Sequence, residues 1–298
     1  MRGTGARPVV EWLQRSRVRA YPVLMLRHAG ALARATHPGP GLAVTVVAVL
    51  LGVAVGLEPW RVALLGIVML FDQVSVGWSN DWIDAERDRR TGRADKPVNR
   101  GQVSPEALRT AALIAVTLCV PLSFAMGRLA GLVHLVAVAA AWGYNLRLKS
   151  TRWSWAPYAL AFGLVPSIIT LGLAGEPWAP WWATAAGALL GVGAHLANVL
   201  PDLDDDAATG VYGLPHRLGA GRTAVLSAVL LLGATSMLAF GPGRPGPLVA
   251  AALGIAAVVT AVGLALGRRP GSRAPFRAVL VVAAVDVALL LARGSSLS

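Results

Sequence analysis

Residues 62–88 read VALLGIVMLFDQVSVGWSNDWIDAERD, an apolar run that ends in a cluster of carboxylates. The apolar part, residues 62–80, is long enough to cross a bilayer core of ~30 Å or nearly so. At its end, Asn80, Asp84 and Asp88 are spaced four residues apart. On an α-helix this spacing keeps the three side chains on one face. The stretch therefore predicts a membrane helix with an oxygen-rich site at its end.

The same pattern recurs 118 residues later. Asn198, Asp202 and Asp206 again step by four, where another long apolar segment ends. Carboxylates at a membrane border cost free energy unless a cation neutralises them. Mg2+ prefers oxygen ligands and binds through one or two carboxylates together with substrate phosphates. Two copies of the motif therefore predict a magnesium site much more specifically than one copy would.

The composition is that of an integral membrane protein. Of the 298 residues, 55% are hydrophobic and only 14% are charged, whereas soluble domains carry roughly 25% charged residues. The apolar runs are long and do not alternate, which favours helices over a β-barrel. The single cysteine, Cys119, excludes an intrachain disulfide and a cysteine-cluster metal site. The net charge of +12 is typical of cytoplasmic loops facing anionic membrane lipid, so no nucleic-acid partner is predicted.

The apolar segments predict an all-α integral membrane protein, a bundle of nine transmembrane helices around a central apolar cavity open to the cytoplasmic side. A basic cytoplasmic segment, residues 1–34, precedes the transmembrane domain of residues 35–298. The last apolar segment is the shortest and contains Asp286. The predicted segments are 38–57, 62–80, 108–127, 129–146, 155–174, 178–200, 223–241, 246–267 and 276–292.

The basic residues predict the orientation of the chain. With nine spans and a cytoplasmic N-terminus, 23 of the 27 Lys and Arg residues fall on the cytoplasmic side and 4 on the other. Such a split is a strong positive-inside signal. Both carboxylate motifs then face the cytoplasm of a multi-pass protein in the cell (inner) membrane. The cytoplasmic loops after the second and sixth segments are long, which is typical of functional loops.

Basic residues lie in the predicted cytoplasmic loops. Lys96 and Arg100 follow the first motif, and Arg147 and Lys149 follow the fourth apolar segment. In one interpretation, these cations only neutralise the carboxylates in ion pairs. In the other, which the duplicated motif favours, Mg2+ and the cations together bind a diphosphate. A diphosphate at the mouth of an apolar bundle implies an apolar tail inside it, as in an isoprenyl diphosphate.

These residues resemble the motifs of the UbiA superfamily of intramembrane prenyltransferases. The superfamily's second motif, Asp-x-x-x-Asp, and its Tyr-x-x-x-x-Lys element are both present, and residues 93–97 and 210–219 are similar to the loops that follow the two motifs. The resemblance covers roughly residues 30–292. The matched motif residues are Asn80, Asp84 and Asp88 in the first motif, Asp202 and Asp206 in the second, and Tyr144 and Lys149 after the fourth helix.

The resemblance implies a Mg2+-dependent enzyme that ionises an isoprenyl diphosphate and passes the prenyl group to a small aromatic or quinone-precursor acceptor. Asp84 and Asp88 would hold one Mg2+, and Asp202 and Asp206 would hold a second. Asn80 and Asn198 would assist as ligands or orienters, and Tyr144 would lie beside the forming cation. The implied diphosphate contacts are Lys96, Arg100, Arg147 and Lys149.

Three alternatives stay open. A membrane terpene cyclase of the same fold would ionise the same diphosphate and quench the cation intramolecularly, and the Asp motifs do not separate the two. A third activity of the fold, transfer of a sugar phosphate to a polyprenyl phosphate, has no sequence feature that requires it. A transporter is disfavoured because its ion sites typically lie near the bilayer midplane. Asp72, His195 and Asp286 lie inside apolar segments without an assigned role.

Overall fold

The computed structural model describes residues 29–90, 96–208, 210–267 and 274–297. Within these ranges the chain forms helices and turns without a strand, which confirms the all-α prediction. Of the predicted N-terminal segment, only residues 29–34 are described, and they are helical. The long helices in these ranges are α1 (Pro38–Ala54), α2 (Pro59–Arg90), α3 (Pro105–Ala125), α4 (Arg128–Leu146), α5 (Ala156–Thr170), α6 (Trp181–Val199), α7 (Ala220–Phe240), α8 (Pro247–Leu266) and α9 (Ala274–Ala292).

Proline begins several of these helices. Pro38, Pro59 and Pro247 are the first residues of α1, α2 and α8. The first N–H of a helix has no partner within the helix, so proline loses no hydrogen bond at this position. Ser104 caps α3, and its hydroxyl accepts a hydrogen bond from the Ala107 amide at 3.1 Å.

Helix α2 is long enough to cross the membrane and project beyond it. Its 32 residues extend about 48 Å, compared with a bilayer core of ~30 Å. The last turns of α2 carry the first carboxylate motif. Near the opposite end, the Arg61 guanidinium donates to the carbonyl oxygens of Met126 at 3.2 Å and Gly172 at 3.0 Å. Arg61 thereby ties this end of α2 to the ends of α3 and α5.

The helices pack as a ring that closes between the last helix and the first. Most neighbours in sequence are in contact, and α9 packs against α1 as well as α6, α7 and α8. Just beyond α9, Gly294 lies so close to α1 that an added Cβ would meet the Ala54 Cβ at 2.5 Å. The largest buried cluster contains residues of the first two helices and of the last, among them Leu51, Val68 and Leu290.

Six helices, α2, α3, α4, α6, α7 and α8, are long and apolar enough to cross a membrane, judged by length and composition among the described residues. Helices α1 and α5 are apolar but shorter, with 17 and 15 residues. The prediction of a helical, multi-pass membrane protein is thus confirmed. The count of nine spans, the central cavity and the cytoplasmic orientation stay predictions.

Candidate active site

The first motif lies on one face of α2, as its spacing predicts. Asp84 and Asp88 are 4% and 3% exposed, and Asn80 is half-buried. Ion pairs surround both carboxylates. The Arg87 guanidinium donates to Asp84 at 2.7 Å and lies 3.6 Å from Asp88, and the Lys149 ammonium also contacts Asp84. Carboxylates this deeply buried are stable only when such partners neutralise them.

Lys96 joins the basic loop to the first motif. Its ammonium lies 2.7 Å from Asp88 and 2.9 Å from Asp81, and Asp81 also contacts the His37 ring at 2.9 Å. Burial by itself would lower the pKa of Lys96, but the two carboxylates outweigh burial and raise this pKa above its ordinary value. Lys96 is therefore a buried ion-pair bridge between α2 and the loop that follows it.

Tyr144 and Lys149, at the end of α4 and just after it, lie near the first motif. The Tyr144 side chain lies within electrostatic range of both Asp84 and Asp206, one carboxylate from each motif. Lys149 is half-buried, and burial lowers its pKa even though Asp84 opposes this shift. The residues that the resemblance matched at positions 84, 144, 149 and 206 thus belong to one region of the molecule.

Two further rings surround Tyr144. Tyr158 on α5 packs edge-on against Tyr144 with ring centroids 5.0 Å apart, and it stacks on His195 of α6 at 4.4 Å. The Tyr144 and His195 rings also meet edge-on, at 5.5 Å. His195, which the sequence left without a role, therefore lies beside the predicted catalytic tyrosine.

The second motif differs from the regular helical step that its spacing suggests. Helix α6 ends at Val199, a 3-10 turn covers Leu200–Asp202, and a short helix covers Leu203–Ala208. Pro201 has no N–H to donate, so it cannot continue the hydrogen bonds of α6. Asp202 and the Asp206 side chain stay half-buried, whereas Asn198 is exposed.

The loop after the second motif packs on the loop after α4. Gly213 lies where an added Cβ would meet the Lys149 carbonyl oxygen at 2.7 Å. The buried Ser154 hydroxyl accepts from the Leu214 amide at 3.0 Å and lies 3.2 Å from Nε2 of His195. These contacts fix the segment around Lys149 against α6 and against the loop that follows the second motif. Sequence reasoning missed Ser154 and Tyr158, since neither belongs to a recognisable spacing.

His216 accompanies Asp206 in this loop. Its Nε2 atom lies 3.6 Å from the Asp206 carboxylate. Burial lowers the pKa of His216, although Asp206 opposes this shift. Two of the predicted diphosphate contacts, Arg100 and Arg147, are exposed, and their roles stay predictions. Arg93 lies outside the described residues.

The predicted metal ligands offer oxygen atoms only, which is the donor chemistry that Mg2+ prefers. Among the described residues, no three His, Cys, Asp or Glu side chains converge as a complete metal cluster. The Asp84 and Asp88 carboxylates instead face the cations of Arg87, Lys96 and Lys149. The residues therefore fit a hard cation that shares its coordination with a substrate anion, as Mg2+ does at diphosphate sites.

Two buried acids lie away from these motifs. Asp72, deeper on α2, accepts a hydrogen bond from Gln73 at 3.0 Å and lies 3.9 Å from the His134 ring on α4. Asp286 of α9 is completely buried and contacts the Thr235 hydroxyl of α7 at 2.5 Å. Both acids therefore connect neighbouring helices.

Comparison with known proteins gives both a family and a fold. The model of the UbiA prenyltransferase family matches residues 41–284, which include both motifs. A 4-hydroxybenzoate octaprenyltransferase of Enterobacter sp. (strain 638) is 27% identical over 164 residues, 52% of this chain. The chain spans 57% of the length of that relative.

Solved structures share the arrangement of helices. A UbiA homologue from Archaeoglobus fulgidus, bound to GPP and Mg2+, superposes with a TM-score of 0.66 at 16% identity and covers 90% of this chain and 100% of that chain. A digeranylgeranylglyceryl phosphate synthase structure gives a TM-score of 0.67 at 15% identity, covering 92% and 99%. These two similarities concern the fold, whereas the family match spans most of the sequence. The resemblance is thus confirmed, and the chain belongs to the UbiA prenyltransferase family.

Proposed function

We propose that this protein transfers an isoprenyl group from an isoprenyl diphosphate to a small aromatic or quinone-precursor acceptor within the membrane, with Mg2+ as its cofactor. The observation that carries the proposal is the position of Tyr144 within electrostatic range of Asp84 and Asp206. Two carboxylate motifs, 118 residues apart in sequence, thus each contribute one carboxylate that interacts electrostatically with the same aromatic side chain. Membership of a prenyltransferase family supports the reaction class.

The reaction begins when the bond between C1 of the prenyl group and the diphosphate oxygen breaks, and the bonding electrons leave with the diphosphate. Bound Mg2+ would supply positive charge to this leaving group. Asp84 and Asp88 are expected to hold one ion, and Asp202 and Asp206 a second, with Asn80 and Asn198 as ligands or orienters. The Archaeoglobus fulgidus homologue bound to GPP and Mg2+ supports this choice of donor and metal.

Cationic side chains are already in place beside the carboxylates. Lys149 and Arg87 contact Asp84, and Lys96 contacts Asp88. A diphosphate bound at the motif would meet donors that are held in position before the reaction, which is the arrangement that stabilises developing negative charge most effectively. The ion pairs and the diphosphate site are therefore compatible interpretations of the same residues.

The allylic cation left behind is expected to lie against Tyr144. An aromatic face attracts a cation, and the attraction is worth about 0.5–2 kcal/mol, depending on desolvation. Tyr158 and His195 hold the Tyr144 ring from two sides. The π electrons of the acceptor ring then form the new bond to C1 of the prenyl group, and the ring proton passes to the released diphosphate.

Two observations support the remaining parts of the proposal. The curated relative is named for 4-hydroxybenzoate, which favours an aromatic acceptor for this chain. The division of Lys and Arg into 23 and 4 on the two sides favours a cytoplasmic site, since cytoplasmic loops carry the excess of positive charge.

The test is diphosphate release by the protein purified in detergent. Isoprenyl diphosphates of different chain lengths are supplied with Mg2+, with and without phenolic acceptors, and the products are identified by mass. We expect release that requires both Mg2+ and an acceptor. Asp84→Asn and Asp202→Asn should each lower the turnover more than about 100-fold. Each change removes a carboxylate that is expected to bind Mg2+, and Mg2+ stabilises the leaving diphosphate.

Glu86→Gln is the matched control, since Glu86 lies on the same turn of α2 but is exposed. It should keep the wild-type rate. Full activity in Asp84→Asn or Asp202→Asn would contradict the metal assignment. Release without an acceptor, with a hydrocarbon or terpene alcohol as product, would instead identify a cyclase.

A further inference from the structure

Asn145, near the end of α4, is hydrogen-bonded to three residues of α2. It follows Tyr144 directly, is 2% exposed, and points toward the turn of α2 where the first motif begins. Its amide nitrogen donates to the Val76 carbonyl oxygen at 2.9 Å and to the Ser79 hydroxyl at 2.8 Å. Its amide oxygen accepts a hydrogen bond from Nδ2 of Asn80 at 3.2 Å.

Hydrogen-bond chemistry allows only one orientation of these amides. The Val76 carbonyl oxygen can only accept, so the Asn145 atom facing it must be the nitrogen. The other end of the Asn145 amide is then its oxygen, which can only accept, so Asn80 must present its own nitrogen there. Consequently Oδ1 of Asn80 faces away from Asn145. Among the residues that the structure describes, this oxygen makes no hydrogen bond.

We propose that Asn145 is a positioning residue for the metal site, one that acts through Asn80. Because Asn145 accepts a hydrogen bond from Nδ2 of Asn80, Oδ1 of Asn80 stays available as a metal ligand on the face shared with Asp84 and Asp88. The inference rests on the proposed function, since it concerns the same metal site. Partners of metal ligands that act in this way are worth about 10- to 100-fold in metal affinity.

A purely structural role for Asn145 is the competing explanation, since buried polar groups also hold membrane helices together. The chain offers a matched control for this role. Trp142, also on α4, donates to the Ser75 hydroxyl of α2 at 3.2 Å. This hydrogen bond joins the same two helices, and it goes to Ser75 rather than to Asn80. If Asn145 only helps α2 and α4 to pack, Trp142→Phe and Asn145→Leu should weaken metal binding alike. If Asn145 positions a metal ligand, only Asn145→Leu should weaken it.

The experiment measures metal binding directly. Mn2+ replaces Mg2+, and its binding to the detergent-purified protein is followed by electron paramagnetic resonance with a non-reactive isoprenyl thiodiphosphate present. We expect Asn145→Leu to raise the apparent Kd for Mn2+ by about 10-fold or more, and Trp142→Phe to leave it within about twofold. Asn80→Ala should weaken binding as Asn145→Leu does, and the double variant should weaken it no further, because residues that act as a unit are not additive.

Asn145→Ser covers the case in which Asn145→Leu does not fold. A serine hydroxyl can bond to the carbonyl oxygen one turn back in its own helix, but it is too short to reach Asn80. It should show the same weakened binding. An unchanged Kd in the folded Asn145 variants, additive losses in the double variant, or no Mn2+ binding by the wild-type protein would overturn the inference. Metal positioning as expected, in a protein that transfers no prenyl group, would instead count against the proposed function alone.

Discussion

At the scale of single residues, the site depends on how buried charges are neutralised. Asp84 and Asp88 are almost completely buried, and each faces at least one cation. Removing one partner of a buried pair leaves the other charge uncompensated, which costs far more than the pair itself contributes. Surface pairs on the same helix, such as Arg90 with Glu86 at 3.1 Å, lie in water and contribute little.

Lys96→Met should therefore destabilise the fold as well as the site. The change leaves Asp81 and Asp88 without their shared cation, and we expect it to lower the free energy of unfolding by about 3–5 kcal/mol. Unfolding by SDS in mixed micelles measures the loss. Arg90→Met removes an exposed charge from α2 and should change the stability by less than about 1 kcal/mol. Equal effects of the two changes would contradict the assignment of Lys96 as a buried bridge.

Substitutions of Tyr144 can distinguish the role of its aromatic ring from that of its hydroxyl. If the ring face stabilises the prenyl cation, Tyr144→Phe should keep turnover within about threefold, whereas Tyr144→Ala should lower it by up to ~30-fold, which corresponds to about 2 kcal/mol. Single-turnover rates with saturating donor measure the difference. A Phe variant as slow as the Ala variant would show that the hydroxyl, which interacts with Tyr158, matters instead.

At the scale of elements, α2 is positioned by close contact with the chain that precedes α1. The Trp78 indole donates to the Leu32 carbonyl oxygen at 2.9 Å. One residue earlier, an added Cβ on Gly77 would meet the Thr36 carbonyl oxygen at 2.5 Å. Backbone atoms cannot rotate away as a side chain does, so only glycine allows this approach. The contact lies one turn before Asn80 and supports the end of α2 that carries the motif.

Gly77→Ala should push residues 29–36 away from α2. We expect a loss of about 1–3 kcal/mol in the free energy of unfolding, which is typical of overpacking at a tight contact. Gly254→Ala in α8 is the control, because nothing lies within 4 Å of the added Cβ. That change should cause no loss, since alanine favours the helix over glycine. A Gly77→Ala protein as stable as the wild type would show that the 29–36 segment moves freely.

At the scale of the whole molecule, the ring of helices brings separate loops together at one end of the bundle. Lys149 follows α4 and pairs with Asp84 of α2, and Gly213 follows the second motif and packs on the Lys149 carbonyl oxygen. All of these contacts lie at the same end of the bundle, opposite the end where Arg61 joins α2 to α3 and α5. The candidate site therefore lies at one end of the bundle.

Cysteine labelling can determine which side of the membrane that end faces. In a Cys119→Ala background, Arg152→Cys and Arg244→Cys each place one thiol at an exposed position near opposite ends of the bundle. A membrane-impermeant maleimide applied to intact spheroplasts should label Arg244→Cys, whereas Arg152→Cys should react only after permeabilisation. The reverse pattern would contradict the orientation inferred from the positive charges.

The sequence by itself determined the helical class, the membrane environment and the first motif's shared face. These properties depend on composition and on spacing within a single segment, such as the four-residue step from Asn80 to Asp84. The tertiary structure decided what the spacing cannot carry. Lys149 contacts Asp84, and Asn145 accepts a hydrogen bond from Asn80, each across a separation of 65 residues. Pro201 interrupts the helix of the second motif. Contacts between segments depend on how helices pack, and packing is a property of the whole ring of helices.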